Sequence, residues 1–198
     1  MTASSSPYRD LRQDFFKNQF ERALNYAAFL ASAPDAHRER WENYERLIAI
    51  PDPSKQTLRA MNRRINVLVL AGAWCGDCAR QGPMLKAISE IAPHVDLRFS
   101  DNHSNPALQD ELRINGAEKV PVVVVLSEDF FEIARFGDRH LSVYRRKAEQ
   151  ELGAACDPGL LPPSSEALAT ELEEWVGFLE RVYYLLRLAP MLRKRYQD

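Results

Sequence analysis

The stretch that decides the fold runs from Ile65 to Cys78 and reads INVLVLAGAWCGDC. Its first half contains an uninterrupted apolar run, Val67 to Leu70, of the kind that forms a buried β-strand. Its second half carries two cysteines separated by two residues, directly before a segment with helical periodicity. A pair of thiols at a strand-to-helix junction is the arrangement that two-electron thiol chemistry requires. The stretch therefore predicts a βαβ unit with a redox-active pair where its helix begins.

The start of this helix gives the two thiols different roles. If the helix begins at about Gly76, the Cys75 sulfur faces unpaired backbone N–H groups and the positive end of the helix dipole, which stabilise a thiolate. Cys78 follows within the first turn on the same face, shielded from solvent and close enough to attack a mixed disulfide at Cys75. Cys75 is the predicted nucleophile, and Cys78 is the predicted resolving thiol.

Composition and charge restrict the class of protein. The chain has 198 residues, 45% of them apolar, which is enough for one domain with additions to bury a core. A formal net charge of −2 gives no reason to expect nucleic acid or a membrane surface as a partner. No apolar stretch reaches the length of a membrane span, and the first ten residues lack the apolar segment of a secretory signal. With three cysteines and no disulfide framework, the composition predicts a cytoplasmic protein.

Strands and helices alternate through the middle of the chain. The predicted elements are a strand at 65–71, a helix at 76–91, a strand at 95–100, a helix at 106–112, strands at 122–126 and 130–136, and a helix at 140–152. Two βαβ crossovers are expected to make the first three strands parallel. The fourth strand follows after only three residues, so it is expected to return antiparallel as a hairpin at the sheet edge.

Helical segments flank this α/β unit, which we place at 63–152. Residues 1–62 are predicted to be a helical N-terminal extension, with one helix over 11–31, a second from Asp35 until Pro51, and a short third helix capped by Ser54. Residues 153–165 contain three prolines and two glycines, which predicts a loop. Residues 166–198 carry a long amphipathic helix that is expected to stop near Pro190 and to pack on the domain or on a partner.

These residues resemble the thioredoxin superfamily, and the helical additions are similar to an extended bacterial thioredoxin-like group. Trp74 and the Cys75–Cys78 pair stand where the family carries its redox motif. Pro83 falls five residues after Cys78, where thioredoxins kink the active-site helix.

Two further positions extend the resemblance across residues 63–152. Val120-Pro121 opens the third predicted strand, where the family places a cis-proline that faces the redox pair. Gly137 matches the glycine that closes the family's edge strand. The resemblance implies a thioredoxin fold of class α/β, for which our strand prediction gives a mixed sheet of three parallel strands plus an antiparallel edge strand.

The resemblance also implies an activity. It predicts a thiol–disulfide oxidoreductase that reduces the disulfides of a protein or a small molecule, without a cofactor, metal or nucleic acid. Regeneration would then require an electron donor such as thioredoxin reductase or glutathione. The residues implied to contact the substrate are Trp74, Gly76, Asp77, Val120 and Pro121, with the Val120 backbone pairing with an extended peptide.

The sequence departs from the family pattern at two positions. Thioredoxins carry a buried aspartate six residues before the first cysteine, thought to assist proton transfer; Val69 stands there, so that relay is absent or is supplied by another carboxylate. Asp77 stands where thioredoxins have proline. Our hypothesis is that its charge raises the pKa of Cys75 relative to an Asp77→Asn variant and makes the pair more reducing.

Alternative interpretations of the cysteines stay open at this point. Zinc would need two further ligands, and no second closely spaced pair exists among Cys156 and the four histidines. A bridged iron–sulfur cluster is a minor alternative, since no extra thiol ligands are evident. The rival function is a binding or redox-sensing module on the same fold that lacks significant turnover.

Several side chains also have less specific interpretations. Trp74 either contacts substrate or simply packs at a strand end. Cys156 is either an unreactive thiol or the partner of the motif in a regulatory disulfide. The N-terminal helices are expected to cover a sheet edge and to narrow the groove beside Pro121.

Overall fold

A four-stranded sheet forms the centre of the molecule. The computed structural model describes residues 8–150 and 163–197. Its strands, in the spatial order β2-β1-β3-β4, are β1 (Ile65–Ala71), β2 (Val95–Asp101), β3 (Val122–Leu126) and β4 (Glu132–Gly137). The helix α5 (Gly76–Ile91) connects β1 to β2, which run parallel as predicted. The hairpin of β3 and β4 is antiparallel with β4 at the edge, which confirms that part of the prediction.

The direction of β3 corrects the prediction of three parallel strands. β3 runs antiparallel to β1, with Leu70 opposite Val122. The helix between β2 and β3, α6 (Pro106–Glu111), has six residues and spans only ~9 Å, whereas a seven-residue strand spans ~23 Å. A helix of that length does not carry the chain back along the full length of the strands to the end of the sheet where β1 and β2 begin. β3 therefore starts at the end of the sheet where β1 and β2 finish. This places Pro121 beside the last residues of β1.

Both faces of the sheet are covered. Val67 and Val69 of β1 face the core made by α5 and by helices from both ends of the chain, while Leu68 and Leu70 face a second core with α6 and the first helix. All five residues of β3 are buried, as expected for a strand packed on both sides.

Four helices precede the sheet: α1 (Gln13–Arg22), α2 (Tyr26–Ala31), α3 (Asp35–Leu47) and α4 (Asp52–Ala60). The single helix predicted over 11–31 is interrupted, because Leu24 pairs with Phe99 of β2 through two backbone hydrogen bonds of 2.8 and 2.7 Å. Asn25 then caps α2 by accepting from the Ala28 N–H at 2.8 Å. The N-terminal segment thus covers the outer edge of β2 at this point.

The C-terminal part is helical. Its helices are α7 (Leu141–Gln150), α8 (Ser165–Leu188) and α9 (Pro190–Tyr196). The predicted long helix corresponds to α8, which packs against α4, α5 and α7; α9 was not predicted, and Pro190 begins it because a proline is well suited to the first turn of a helix. Most of the loop predicted at 153–165, with Cys156, lies outside the described residues. Across the described ranges, no helix combines the length and apolar character needed to traverse a bilayer.

Candidate active site

The two cysteines lie at the junction between β1 and α5. Cys75 is the N-cap of α5, and its Sγ accepts a hydrogen bond from the Cys78 backbone N–H at 3.5 Å. Both thiols are free, and each residue is only 1% exposed. The sulfur of Cys75 is therefore held at the positive end of a sixteen-residue helix.

The surroundings of Cys75 favour its thiolate. The Cys78 thiol donates a hydrogen bond to the Cys75 sulfur and is the main cause that lowers the pKa of Cys75 to about 7, against opposition from burial. The backbone N–H groups of Cys78 and Asp77 lower this pKa further, while the Asp77 charge raises it. A large fraction of Cys75 is consequently thiolate at neutral pH.

Cys78 has the opposite character. Burial, followed by the hydrogen bond to Cys75 and its charge, raises the pKa of the Cys78 thiol well above its usual value. Cys78 therefore stays protonated while Cys75 ionises, and the roles of nucleophile and resolving thiol stay a prediction.

The loop before β3 faces the two cysteines. The Val120–Pro121 peptide bond is cis, in the geometry that the resemblance implies. When protonated, the Cys75 thiol donates to the Val120 carbonyl oxygen at 3.6 Å. Val120 is half-buried and Pro121 is buried. The antiparallel direction of β3 is what brings this loop to Cys75.

Trp74 forms the exposed border of the site. Its side chain is 42% exposed, and its ring lies 5.9 Å from that of His103. A side chain on Gly72 would overlap the Trp74 indole, so the glycine permits this ring position. A cleft of about 250 Å³ adjoins the tryptophan and is lined in part by Pro34 and His37 of the N-terminal helices.

Asp77 points into the protein. It is 1% exposed, and its carboxylate accepts from Arg80 at 2.6 Å and from Arg139 at 2.7 Å. Arg80 also donates to Glu171 of α8 at 2.8 Å. Gly76 is buried as well. A substrate contact through Gly76 or Asp77 stays a prediction, and the structure adds an ion-pair network that the sequence analysis did not contain.

The helix α3 holds the other side of the motif. The Trp41 indole N–H donates to the Ala73 carbonyl at 3.0 Å, and Arg40 donates to the Trp74 carbonyl at 3.1 Å. A side chain on Gly82 would overlap the buried Trp41 ring, so this glycine gives α3 its close approach to α5.

Comparison with known proteins agrees with this geometry. A family model described as thioredoxin matches residues 23–148, more than half of the chain. The chain belongs to the thioredoxin family. The match begins at the end of α1, so most of the N-terminal helices of this thioredoxin-family protein lie within it.

Two solved structures share the fold. A protein of unknown function from Pseudomonas aeruginosa has 19% sequence identity and a TM-score of 0.65, with 84% of this chain and 95% of that chain covered. An HIV epitope scaffold has 19% identity and a TM-score of 0.64 with the same coverage. No curated protein matches the chain.

Metal ligands do not cluster in the part of the chain that the structure describes. Within 8–150 and 163–197, no group of three or more histidine, cysteine, aspartate or glutamate residues is placed to hold a metal ion.

Sequence signals for the missed residues exist but are weak. Glu171 lies on the apolar stripe of α8, three residues after Leu168 and four before Trp175, and a charged residue there indicates a buried partner. Gly82 in the interior of a helix indicates a close neighbour. Neither signal names its partner, because Arg80 is distant in sequence from Glu171, and Trp41 is distant from Gly82.

Proposed function

We propose that this thioredoxin-family protein is a thiol–disulfide oxidoreductase that reduces substrate disulfides through Cys75 and Cys78. The observation that carries the proposal is the Cys75 sulfur, which caps α5, has a pKa of about 7 and accepts a hydrogen bond from a protonated Cys78 thiol. A thiolate with a pKa near the ambient pH is the best attacking group for exchange.

The reaction proceeds in two exchanges. The Cys75 thiolate attacks one sulfur of the substrate disulfide, a Cys75–substrate disulfide forms, and the other substrate sulfur leaves as a thiolate that takes up a proton. Cys78 then loses its proton and attacks the Cys75 sulfur, which releases the second substrate sulfur. The substrate gains two electrons and two protons, and the protein ends with a Cys75–Cys78 disulfide.

The substrate would enter between Trp74 and Val120. This position supports pairing of an extended peptide with the Val120 backbone, and Trp74 offers an exposed ring beside it. A protein disulfide or a small disulfide fits this proposal. The oxidised pair is then returned to the dithiol by an electron donor such as thioredoxin reductase or glutathione.

Reduction of insulin disulfides by the full chain, with dithiothreitol as donor, tests the proposal. We expect turnover that Cys75→Ser abolishes. After incubation with insulin in the absence of dithiothreitol, we expect a trapped covalent adduct of Cys78→Ser with the substrate, detected by mass. Cys156→Ser serves as the matched cysteine control and retains turnover. An intact protein that reduces insulin no faster than dithiothreitol alone contradicts the proposal.

The second candidate is a binding or redox-sensing module without turnover. Its support is the 1% exposure of Cys75, which restricts the access of a bulky disulfide. This candidate predicts that small disulfides oxidise the pair once but that multiple turnover of insulin is absent. The same assay therefore separates the two functions.

A further inference from the structure

The Asp77 carboxylate is the centre of a buried ion network. Its two oxygens accept from Arg80 and Arg139, and the side chains of these three residues are 1%, 0% and 7% exposed. Arg80 also pairs with Glu171, which is 0% exposed. Salt screens the interactions between buried charges only weakly, so each of these charges acts on its neighbours at nearly full strength.

The network reaches from the motif to two other parts of the molecule. The Arg139 Nη1 lies 3.4 Å from the Oδ2 of the neighbouring Asp138. The Asp138 carboxylate also pairs with the Lys119 Nζ at 3.3 Å and accepts a hydrogen bond from the Tyr144 hydroxyl. Lys119 directly precedes Val120. On the α8 side, Glu171 pairs with Arg146 of α7 at 3.3 Å. The motif, the loop before β3 and the C-terminal helix are thus joined through charged side chains.

Two further ionisable groups face this network. His140 is buried beside Arg80, and burial followed by the Arg80 charge lowers the pKa of His140 to about 3, so the imidazole is neutral near pH 7. Glu174 of α8 lies 3.4 Å from the His140 Nδ1.

A buried ion pair is by itself a weak contributor to stability, because removal of two charges from water opposes their attraction. The position of this one is informative. Asp77 is next but one to Cys75, and its charge opposes the Cys75 thiolate. Arg80 and Arg139 both pair with this carboxylate, and positive charges placed there act in the direction opposite to that of Asp77.

We propose that Arg80 and Arg139 are positioning residues that hold Asp77 and set the net charge beside the Cys75 sulfur, with Glu171 fixing Arg80. The inference rests on the proposed function, since it concerns the reactivity of the same thiol. The earlier hypothesis concerned the charge of Asp77 alone. The proposal adds that the two arginines paired with Asp77, one of which is held by α8, determine how strongly that charge acts on the Cys75 thiolate.

Titration of the Cys75 thiolate by its ultraviolet absorbance tests the proposal. Removal of the carboxylate in Asp77→Asn leaves the network with one negative charge fewer, and we expect the Cys75 pKa to fall by about one unit. Removal of one cation in Arg139→Gln is expected to raise it by about one unit. The double variant restores the charge balance, so its pKa is expected to return close to the wild-type value.

A purely structural role of these residues does not produce opposite shifts of the Cys75 pKa in the two single variants that cancel in the double variant. Arg139→Lys keeps the charge and is expected to keep the pKa. Arg63→Gln is the matched control, because Arg63 is also buried and pairs with Glu128 at 2.9 Å, but it precedes β1 and so lies at the opposite end of that strand from Cys75. It is expected to reduce stability without moving the Cys75 pKa.

The outcomes separate this inference from the function itself. If Asp77→Asn does not fold, Arg139→Gln and Arg139→Lys still decide the matter: equal pKa values in both contradict the proposal. Shifts in the same direction for Asp77→Asn and Arg139→Gln contradict it as well. A wild-type Cys75 pKa as high as that of an ordinary thiol contradicts the proposed function instead, whatever the variants do.

Discussion

The two sides of the Trp74–Cys78 motif are held by different chemistry. On the N-terminal side, α3 binds the backbone, with the Trp41 indole donating to the Ala73 carbonyl. On the C-terminal side, Arg139 and Glu171 hold α5 through the ion network around Asp77. The Trp41 contact fixes where the loop lies and brings no charge, and the Arg40 guanidinium on this side binds the Trp74 carbonyl in an exposed position. The ion network, in contrast, brings buried charges to within two residues of Cys75. We therefore expect the α3 contacts to determine the position of the motif and the ion network to determine the reactivity of Cys75.

The largest expected effect lies on the α3 side. Trp41 is 0% exposed and packs in the main core against Phe29 and Phe99. We expect Trp41→Ala to lower the free energy of unfolding by ~3–5 kcal/mol, because it leaves a cavity, and to leave the Cys75 pKa nearly unchanged. Urea unfolding and thiolate titration measure the two quantities.

Trp41→Phe is the control for this variant, because it keeps an aromatic ring in the core while it removes the N–H and part of the indole; we expect a smaller loss of ~2 kcal/mol. A Cys75 pKa shift of a full unit in folded Trp41→Ala protein would break the comparison.

A smaller effect is expected on the α8 side. Glu171→Gln removes one of the carboxylates that face the buried Arg80, and we expect a loss of ~2 kcal/mol in the free energy of unfolding. The Cys75 pKa should fall by less than it does in Asp77→Asn, since Glu171 contacts Arg80 rather than the motif residue next to the sulfur. Glu173→Gln, on the exposed face of the same helix, is the matched control and should change neither quantity.

The smallest effect, over the measured range from pH 6.5 to 5, is a pH dependence of the free energy of unfolding that sharpens the comparison. The pKa of His140 is lowered to about 3 by burial and by Arg80, so below pH 6.5 the unfolded chain takes up a proton that the folded chain does not. Stability present above pH 6.5 is therefore lost as the pH falls towards 3, by ~1.4 kcal/mol per pH unit from this group. Denaturant unfolding at pH 6.5 and 5 measures the slope.

His140→Gln removes that titration and should flatten the dependence. His37→Gln, at the border of the cleft beside Trp74, is the comparison variant. An equal slope in wild type and His140→Gln would mean that this buried imidazole does not contribute.

The sequence was a good guide where structure is local. The predicted bounds of β1, α5 and β3 agree with the structure, because an apolar run and the helical periodicity after Cys75 are properties of consecutive residues. The break between α1 and α2 was missed, since it depends on Leu24 pairing with Phe99, which is distant in sequence.

Asp77 shows the same limit within the site. Its position beside the sulfur was evident from the spacing, and the opposition of its charge to the Cys75 thiolate agrees in direction with the hypothesis. Its partners were not evident, because Arg139 is 62 residues away and Glu171 joins through Arg80 from 91 residues away. Only packing brings those charges together.

The sequence by itself determined the junction of strand and helix and the order of the two thiols, because the start of a helix fixes which sulfur meets its unpaired N–H groups. The tertiary structure decided the direction of β3, which brings Pro121 to Cys75, and the charge around Asp77. Both depend on distant segments, whose mutual placement follows from burial of the whole core rather than from any local spacing of residues.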